Sequence, residues 1–252
     1  MNVRARFLGV AGVEFVSPGG VRLVVDPCLS GDATMQLGAS PVPASDLDPT
    51  DLILVSHGAR DHYGDTVEIA GRSGATVGCA PDVRLKLLHD AVPPERIRKL
   101  LPGVTWRVGD VVVKALAACH ISMHQIGDQW VTGPPLCFVI DLGGTKVFHA
   151  GDTALSAELR MLGELYRPDA AFLPVGATEP GLEFMPPDEA AIALQWIGAR
   201  TAIPMHFPPG SGADRAFADA VAARGLDAHV EFMAPGATLE IATSPTTYEK
   251  EP

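Results

Sequence analysis

The sequence predicts an α+β protein in which two β-sheets pack face to face with helices on the outside. Two observations carry this. Short β-type runs dominate the first part of the chain, and the second half alternates such runs with segments of helical apolar spacing. A third observation locates a site. Several apolar runs stop at histidine or aspartate, so buried strands deliver polar side chains to the loops at their ends.

At the start, residues 4–10, 13–17 and 21–26 read as strands separated by Gly and Pro-Gly-Gly turn signals, a meander. Residues 28–50 are rich in Gly, Ser, Pro and Asp and read as a loop able to lie over a site. Residues 52–56 form a strand and 65–72 a short helix. Pro81–His89 and residues 93–100 are expected to be helical, with Pro and Asp in first-turn positions. Residues 111–118, 137–141 and Thr145–His149 return to β character, the last two joined by the hairpin signal Gly143-Gly144. Residues 155–166 carry the spacing of an amphipathic helix and 170–175 a buried strand. Pro187–Ile197 is a helix, Thr201–Met205 a strand and 214–224 a helix, with 230–233 and 237–241 as a closing pair of strands. This is one domain over residues 1–242, followed by a polar tail at 243–252.

With 252 residues, 47% of them hydrophobic, the chain can bury a sizeable core. A net charge of -11 without a basic run argues against nucleic acid or an anionic membrane surface as partner. No segment approaches the ~20 apolar residues of a membrane span. The four cysteines (Cys28, Cys79, Cys119 and Cys137) are scattered without a CxxC pair and read as reduced core thiols. The expectation is a soluble cytoplasmic protein acting on a small molecule, compatible with a homo-oligomer.

The most informative stretch is Ser56-His57-Gly58-Ala59-Arg60-Asp61-His62, placed straight after an apolar run. Neutral imidazole and carboxylate are the usual ligands of zinc and related divalent ions. His120, Asp152 and His206 come further downstream, each near the end of another apolar run.

This series, His57-x-x-x-Asp61-His62, then His120, then His-Ala-Gly-Asp152-Thr, then Ile-Pro-Met-His206-Phe, resembles the metal site of the metallo-β-lactamase superfamily. The branch it resembles is that of small metal-dependent hydrolases related to ascorbate-6-phosphate lactonase, over residues 3–241. The resemblance implies a four-layer αββα sandwich of two mixed sheets with the metal site at one edge. It also implies one metal held by His57 and His120, a second held by Asp61, His62 and His206, and Asp152 bridging the two.

The chain departs from that pattern at one position. Where the superfamily has His-x-His-x-Asp-His, the middle histidine is replaced by Ala59. A methyl group cannot coordinate, so the first site is weak or absent, while the second keeps two histidines and two carboxylates. His124, in an expected loop over residues 121–130, and Cys119, both close to His120, are the candidates to replace the lost ligand. Cys119 neighbours His120 in a strand-like run and should face the other way.

The expected chemistry is hydrolysis of a small ester, lactone, cyclic amide or phosphoester through a metal-bound hydroxide. Asp61, Asp152 and His57 are the expected catalytic groups, and Arg60 and His124 the candidates for substrate contact. Zinc is the expected metal, with manganese or iron as alternatives. Asp26, Ser56 and Thr153 are candidates to orient the ligand imidazoles, and His149 reads as a hydrogen-bonded core histidine. Tyr63, Trp130 and Phe184 are aromatic candidates for a pocket wall. Two other readings stand beside the hydrolase: a mononuclear iron oxidoreductase on the same scaffold, and a degenerate metal-binding domain without activity.

Overall fold

The computed structural model describes residues 3–33, 37–176 and 184–242; the predicted polar tail at 243–252 lies outside these. The meander is present as β1 (Val3–Gly9), β2 (Gly12–Val16) and β3 (Arg22–Val25). It continues through β4 (Leu52–Val55), β5 (Thr76–Cys79) and β6 (Ile97–Lys99) into a seven-stranded sheet of order β16-β1-β2-β3-β4-β5-β6, where β16 is Thr238–Ile241. The second seven-stranded sheet has the order β15-β14-β13-β12-β11-β8-β7. Its strands are β7 (Thr105–Val108), β8 (Val111–Ala117), β11 (Leu136–Leu142), β12 (Thr145–His149), β13 (Ala170–Pro174), β14 (Thr201–Met205) and β15 (His229–Val230). Both sheets mix parallel and antiparallel pairs.

The core is made where the sheets face each other: Phe15 of the first meets Phe172 of the second edge to face at 5.6 Å. Helices α2 (Thr66–Ser73) and α3 (Pro81–His89) cover the first sheet, whose outer apolar residues Ile53, Val55 and Val77 join Ile69 and Val83 in a smaller cluster. Helices α4 (Glu158–Tyr166), α5 (Pro187–Ile197) and α6 (Ala213–Ala223) bury Leu162, Leu194 and Phe217 in the main core beside the second sheet. That is the αββα order.

Strand direction explains why the site residues meet. β3 and β4 run parallel, as do β12, β13 and β14. β8 is antiparallel to β11, which is antiparallel to β12, so β8 runs with β12. Asp26, His57, His120, Asp152 and His206 therefore all lie just past the carboxyl ends of co-directional strands within their sheets.

Three expectations are corrected. Residues 93–100 form a single 3₁₀ turn, Pro94–Arg96, and then strand β6. The Pro-Pro-Glu helix-start signal is real but short, and pairing with the edge of β5 draws Ile97, Arg98 and Lys99 into the sheet. The closing pair is split: β15 joins β14, whereas β16 crosses to pair with β1 in the other sheet. Residues 121–130 are not a loop. They supply most of a separate two-stranded hairpin, β9 (Ser122–Ile126) and β10 (Gln129–Gly133), which packs on α3.

Candidate metal centre

The stretch after β4 turns into a one-turn helix, α1 (Arg60–Tyr63), which points Asp61 and His62 back toward the strand ends. Gly64 closes it with φ +36°, and a Cβ there would stand 2.0 Å from the Pro27 carbonyl oxygen. The helix end is thus pressed against the segment just after Asp26. Asp26 and His206 themselves hold left-handed backbone, φ 46° and 55°, uncommon for residues other than glycine. The His206 amide donates to the Val10 carbonyl at 2.8 Å, which fixes that turn.

His57, Asp61, His62 and Asp152 are buried, and His206 is nearly so. The Nε2 atom of His206 lies 3.0 Å from Asp61 Oδ2 and 3.3 Å from Asp152 Oδ2. The Nε2 atom of His62 lies 3.4 Å from Asp152 Oδ2 and 3.9 Å from Asp61 Oδ2. On the other side, the His57 ring leans on His62 at 4.1 Å and meets the His120 ring at 4.9 Å, and His120 Nε2 is 3.9 Å from Asp152 Oδ2.

A hydrogen-bond network behind the rings sets their tautomers. Ser56 donates its amide to Asp26 Oδ1 and its hydroxyl to Asp26 Oδ2, both at 2.7 Å. With that proton committed, Ser56 Oγ accepts from His57 Nδ1 at 3.0 Å. His62 Nδ1 donates to Asp26 Oδ2 at 2.9 Å. Both imidazoles are thereby protonated at Nδ1, so that Nε2 faces the cavity. His57 Nε2, His62 Nε2 and Asp152 Oδ1 are buried there without a hydrogen-bond partner. Three orphaned buried atoms converging on one space are what a cation would satisfy.

A second test agrees. Ligands at 2.0–2.1 Å in a tetrahedron stand roughly 3.3 Å apart. The His206–Asp61, His206–Asp152 and His62–Asp152 separations of 3.0, 3.3 and 3.4 Å are close to that spacing, and His62–Asp61 is wider at 3.9 Å. Two buried or nearly buried donor triads share His62, Asp61–His62–His206 and His57–His62–Asp152, each compact enough to hold a divalent ion, and Asp152 also approaches the first triad through His206.

These contacts set the charges. Burial opposes ionisation of Asp152, yet the His206 and His62 imidazoles hold its carboxyl well below the usual range. Burial opposes it at Asp61 too, and His62 and His206 prevail. Burial and the neighbouring His62 push His57 down to about 3, so its ring is neutral at pH 7.

The other expected residues have separate fates. Arg60 lies at the rim with its guanidinium 3.3 Å from Asp32. His124 lies on the inner face of β9, its ring buried against Gly58. Its Nδ1 is 3.8 Å from Asp82 Oδ2, apart from the ligand groups. Cys119 is exposed rather than in the core. Thr153 Oγ1 accepts from the Cys119 amide at 2.9 Å and donates to the Ala154 carbonyl at 3.0 Å. His149 donates to the Ala11 carbonyl at 2.8 Å and accepts from the Gly151 amide at 3.2 Å, a neutral histidine of the core. Tyr63 is buried and bonded to Asp90 at 2.7 Å, Trp130 is exposed, and Phe184 meets the His206 ring at 4.7 Å.

Sequence reasoning misses one polar pair. Ser122 donates to Asp82 and accepts the Gly58 amide at 2.9 Å, tying α3 and the hairpin to the metal loop. In the sequence Asp82 is an ordinary first-turn acid, and nothing in its neighbourhood marks it otherwise.

An αββα sandwich carrying a His/Asp donor cluster at its strand ends defines a protein of the metallo-β-lactamase fold with a metal-type site. Residues 21–207 match the family model of the β-lactamase superfamily domain. A UPF0173 metal-dependent hydrolase of Rubrobacter xylanophilus is 35% identical over 244 residues, covering 94% of this chain and 96% of that one. Another, from Methanopyrus kandleri, is 36% identical over 242 residues, covering 94% and 100%. The solved structure of Igni18, a metallo hydrolase from Ignicoccus hospitalis, superposes with a TM-score of 0.80 at 27% identity, covering 97% of this chain and 100% of that one. The chain belongs to the UPF0173 metal-dependent hydrolases of the β-lactamase superfamily. Among its described residues, no helix is long and apolar enough to cross a membrane.

Proposed function

We propose that this chain hydrolyses a small-molecule ester, lactone, cyclic amide or phosphoester, using one firmly held zinc ion. The observation that carries the reading is the convergence of Asp61, His62 and His206, with Asp152 3.3–3.4 Å from both imidazoles, two imidazoles and two carboxylates of a kind zinc favours. When bound, zinc supplies Lewis acidity, lowering the pKa of water toward ~7 and polarising a substrate oxygen.

The residues do the rest. Asp61 and Asp152 stay ionised at neutral pH and serve to orient the attacking water or accept its proton. His57 presents an unprotonated Nε2 to the same cavity, an acceptor for a hydrogen bond from water or a substrate hydroxyl. Ala59 contributes no ligand, so the donor set around His57 has one imidazole fewer than the motif the sequence resembles. The unpaired thiols of Cys28, Cys79 and Cys137 suit a reducing, cytoplasmic setting.

Elemental analysis after exhaustive desalting tests the metal. Close to one zinc per chain is expected, and two retained equivalents would overturn the single-site reading. Asp61→Ala, His62→Ala and His206→Ala should each abolish tight binding, whereas His57→Ala should keep the metal and lose turnover. Metal-loaded protein that hydrolyses none of the four bond classes would overturn the activity.

A further inference from the structure

His206 also lines a space outside the ligand cluster. A cavity of about 380 Å³ begins at this residue and runs between the end of β1 and the segment before β16. Phe7, Val10, Phe207, Phe232 and Met233 form its walls. A cavity of this size, contiguous with a metal ligand and walled by aromatic and aliphatic side chains, is the usual form of a small-molecule subsite. Phe232 is braced, since the Arg215 guanidinium lies 4.1 Å from its ring centroid.

The lining also says what is unwelcome. Among the described residues, the ionisable side chains on it are His206 and Asp214, and no lysine or arginine lines it. A phosphate or carboxylate placed there would lose its water, meet no lysine or arginine on the lining, since Arg215 is stacked on Phe232, and face the Asp214 carboxylate. An alkyl or aryl group loses nothing polar and gains the wall.

We propose that this cavity receives an uncharged apolar substituent of the substrate, so that the hydrolase acts on alkyl- or aryl-substituted esters and lactones rather than on sugar phosphates. The inference rests on the hydrolase reading given above. For a lactone, water adds to the carbonyl carbon and the ring C–O bond breaks. The products are a carboxylate, a hydroxyl carrying one proton of the water, and one proton released to solvent. The substituent takes no part in this chemistry and supplies binding.

The test is a series of γ-lactones with side chains from methyl to hexyl, assayed with the zinc-loaded full chain. Each buried methylene should raise kcat/KM by up to about four-fold. The hexyl compound should therefore exceed the methyl one at least ten-fold. In Ala234→Trp, which fills the cavity, and in Phe232→Ala, which opens its wall, the ratio of hexyl to methyl should fall toward one. A flat series, an unchanged ratio in both variants, or faster turnover of a phosphorylated sugar lactone would overturn the proposal while leaving the hydrolase reading intact. Binding of the neutral dye Nile red, displaced by γ-decalactone, reads the cavity without turnover. Displaceable binding in the wild type that is lost in Ala234→Trp supports an apolar subsite even if no lactone is cleaved, the result that would count against the activity instead. Equal dye binding in both proteins overturns the subsite.

Discussion

Asp26 Oδ2 stands 2.9 Å from His62 Nδ1, joining the end of β3 to a histidine 36 positions further on. The carboxylate is fully buried, and its other contacts are the Ser56 amide and hydroxyl. It therefore holds the His62 ring directly in the tautomer that turns Nε2 inward, and through Ser56 it supports the same tautomer at His57. Asp26→Asn keeps the shape and tolerates the left-handed backbone, but removes the charge and can turn an N–H toward Nδ1. Metal affinity should fall about 10–100-fold, measured by competition with a chelator. Unchanged affinity would show that Ser56 alone orients the ring.

Metal uptake should release protons. In the metal-free protein, burial disfavours the charged form of His62, but Asp152 and Asp26 raise its pKa well above the usual histidine value. His206 is raised as well, against burial, by Asp152 and by its hydrogen bond to Asp61. The rise well above the usual value at His62 means that its proton is held at neutral pH and must leave before Nε2 can coordinate, and the rise at His206 acts in the same direction. Calorimetry in buffers of different ionisation enthalpy should find at least one proton released per metal at pH 7. Apparent affinity should rise from pH 6 to pH 8 as that competition fades. Uptake without proton release would mean that the imidazoles are already neutral.

Gly58 has no room for a side chain. A Cβ there would lie 1.9 Å from His124 Nδ1, and that ring is itself buried beneath the hairpin. Gly58→Ala should destabilise the fold by about 1–3 kcal/mol, the usual cost of forcing extra volume into a packed site. Chemical denaturation measures it. The double variant Gly58→Ala with His124→Ala should recover part of the loss. A double variant less stable than the sum of the two singles would show that His124 contributes more than bulk.

Much of this is legible in the sequence because strands end where apolar runs end. Leu52–Val55 stops just before Ser56 and His57, and Thr201–Met205 stops at His206, so the residue pattern alone places the motif residues at strand ends. The features that escape such reading depend on partners remote in sequence. The β9–β10 hairpin exposes Met123 and Trp130 on one face and buries Ser122 and His124 on the other, but the alternation is masked by a mixed polar and apolar composition. The destination of β16 in the first sheet is set by the edge that β1 leaves open, which no local pattern records. The Asp82–Ser122–Gly58 tie has the same character, three residues far apart in the chain and unremarkable singly.

Ala59 stands where the motif that the sequence resembles would place a histidine, and its surroundings bear on the reason. It precedes α1 in extended backbone, φ -62° and ψ 150°, and is only half-buried, so a larger side chain can be accommodated. Across the ring of His62, His57 still carries an unpartnered Nε2, and His120 still faces Asp152 at 3.9 Å. Ala59→His should restore a third imidazole to that set and allow a second metal ion to bind. At a metal concentration 100 times the new dissociation constant, the folded state should gain about 2.7 kcal/mol, read as a rise in Tm. Activity then separates two histories. If the alanine makes room for substrate beside His57, the second ion should bind while native turnover falls, because an imidazole fills that space. If it records a lost site, turnover of generic esters or phosphodiesters should rise with the second ion. The completeness of the Asp61, His62, Asp152 and His206 set, with its Asp26 and Ser56 support intact, favours the first outcome. A variant that neither takes up a second ion nor changes in activity would show that His57 and His120 are not arranged as ligands.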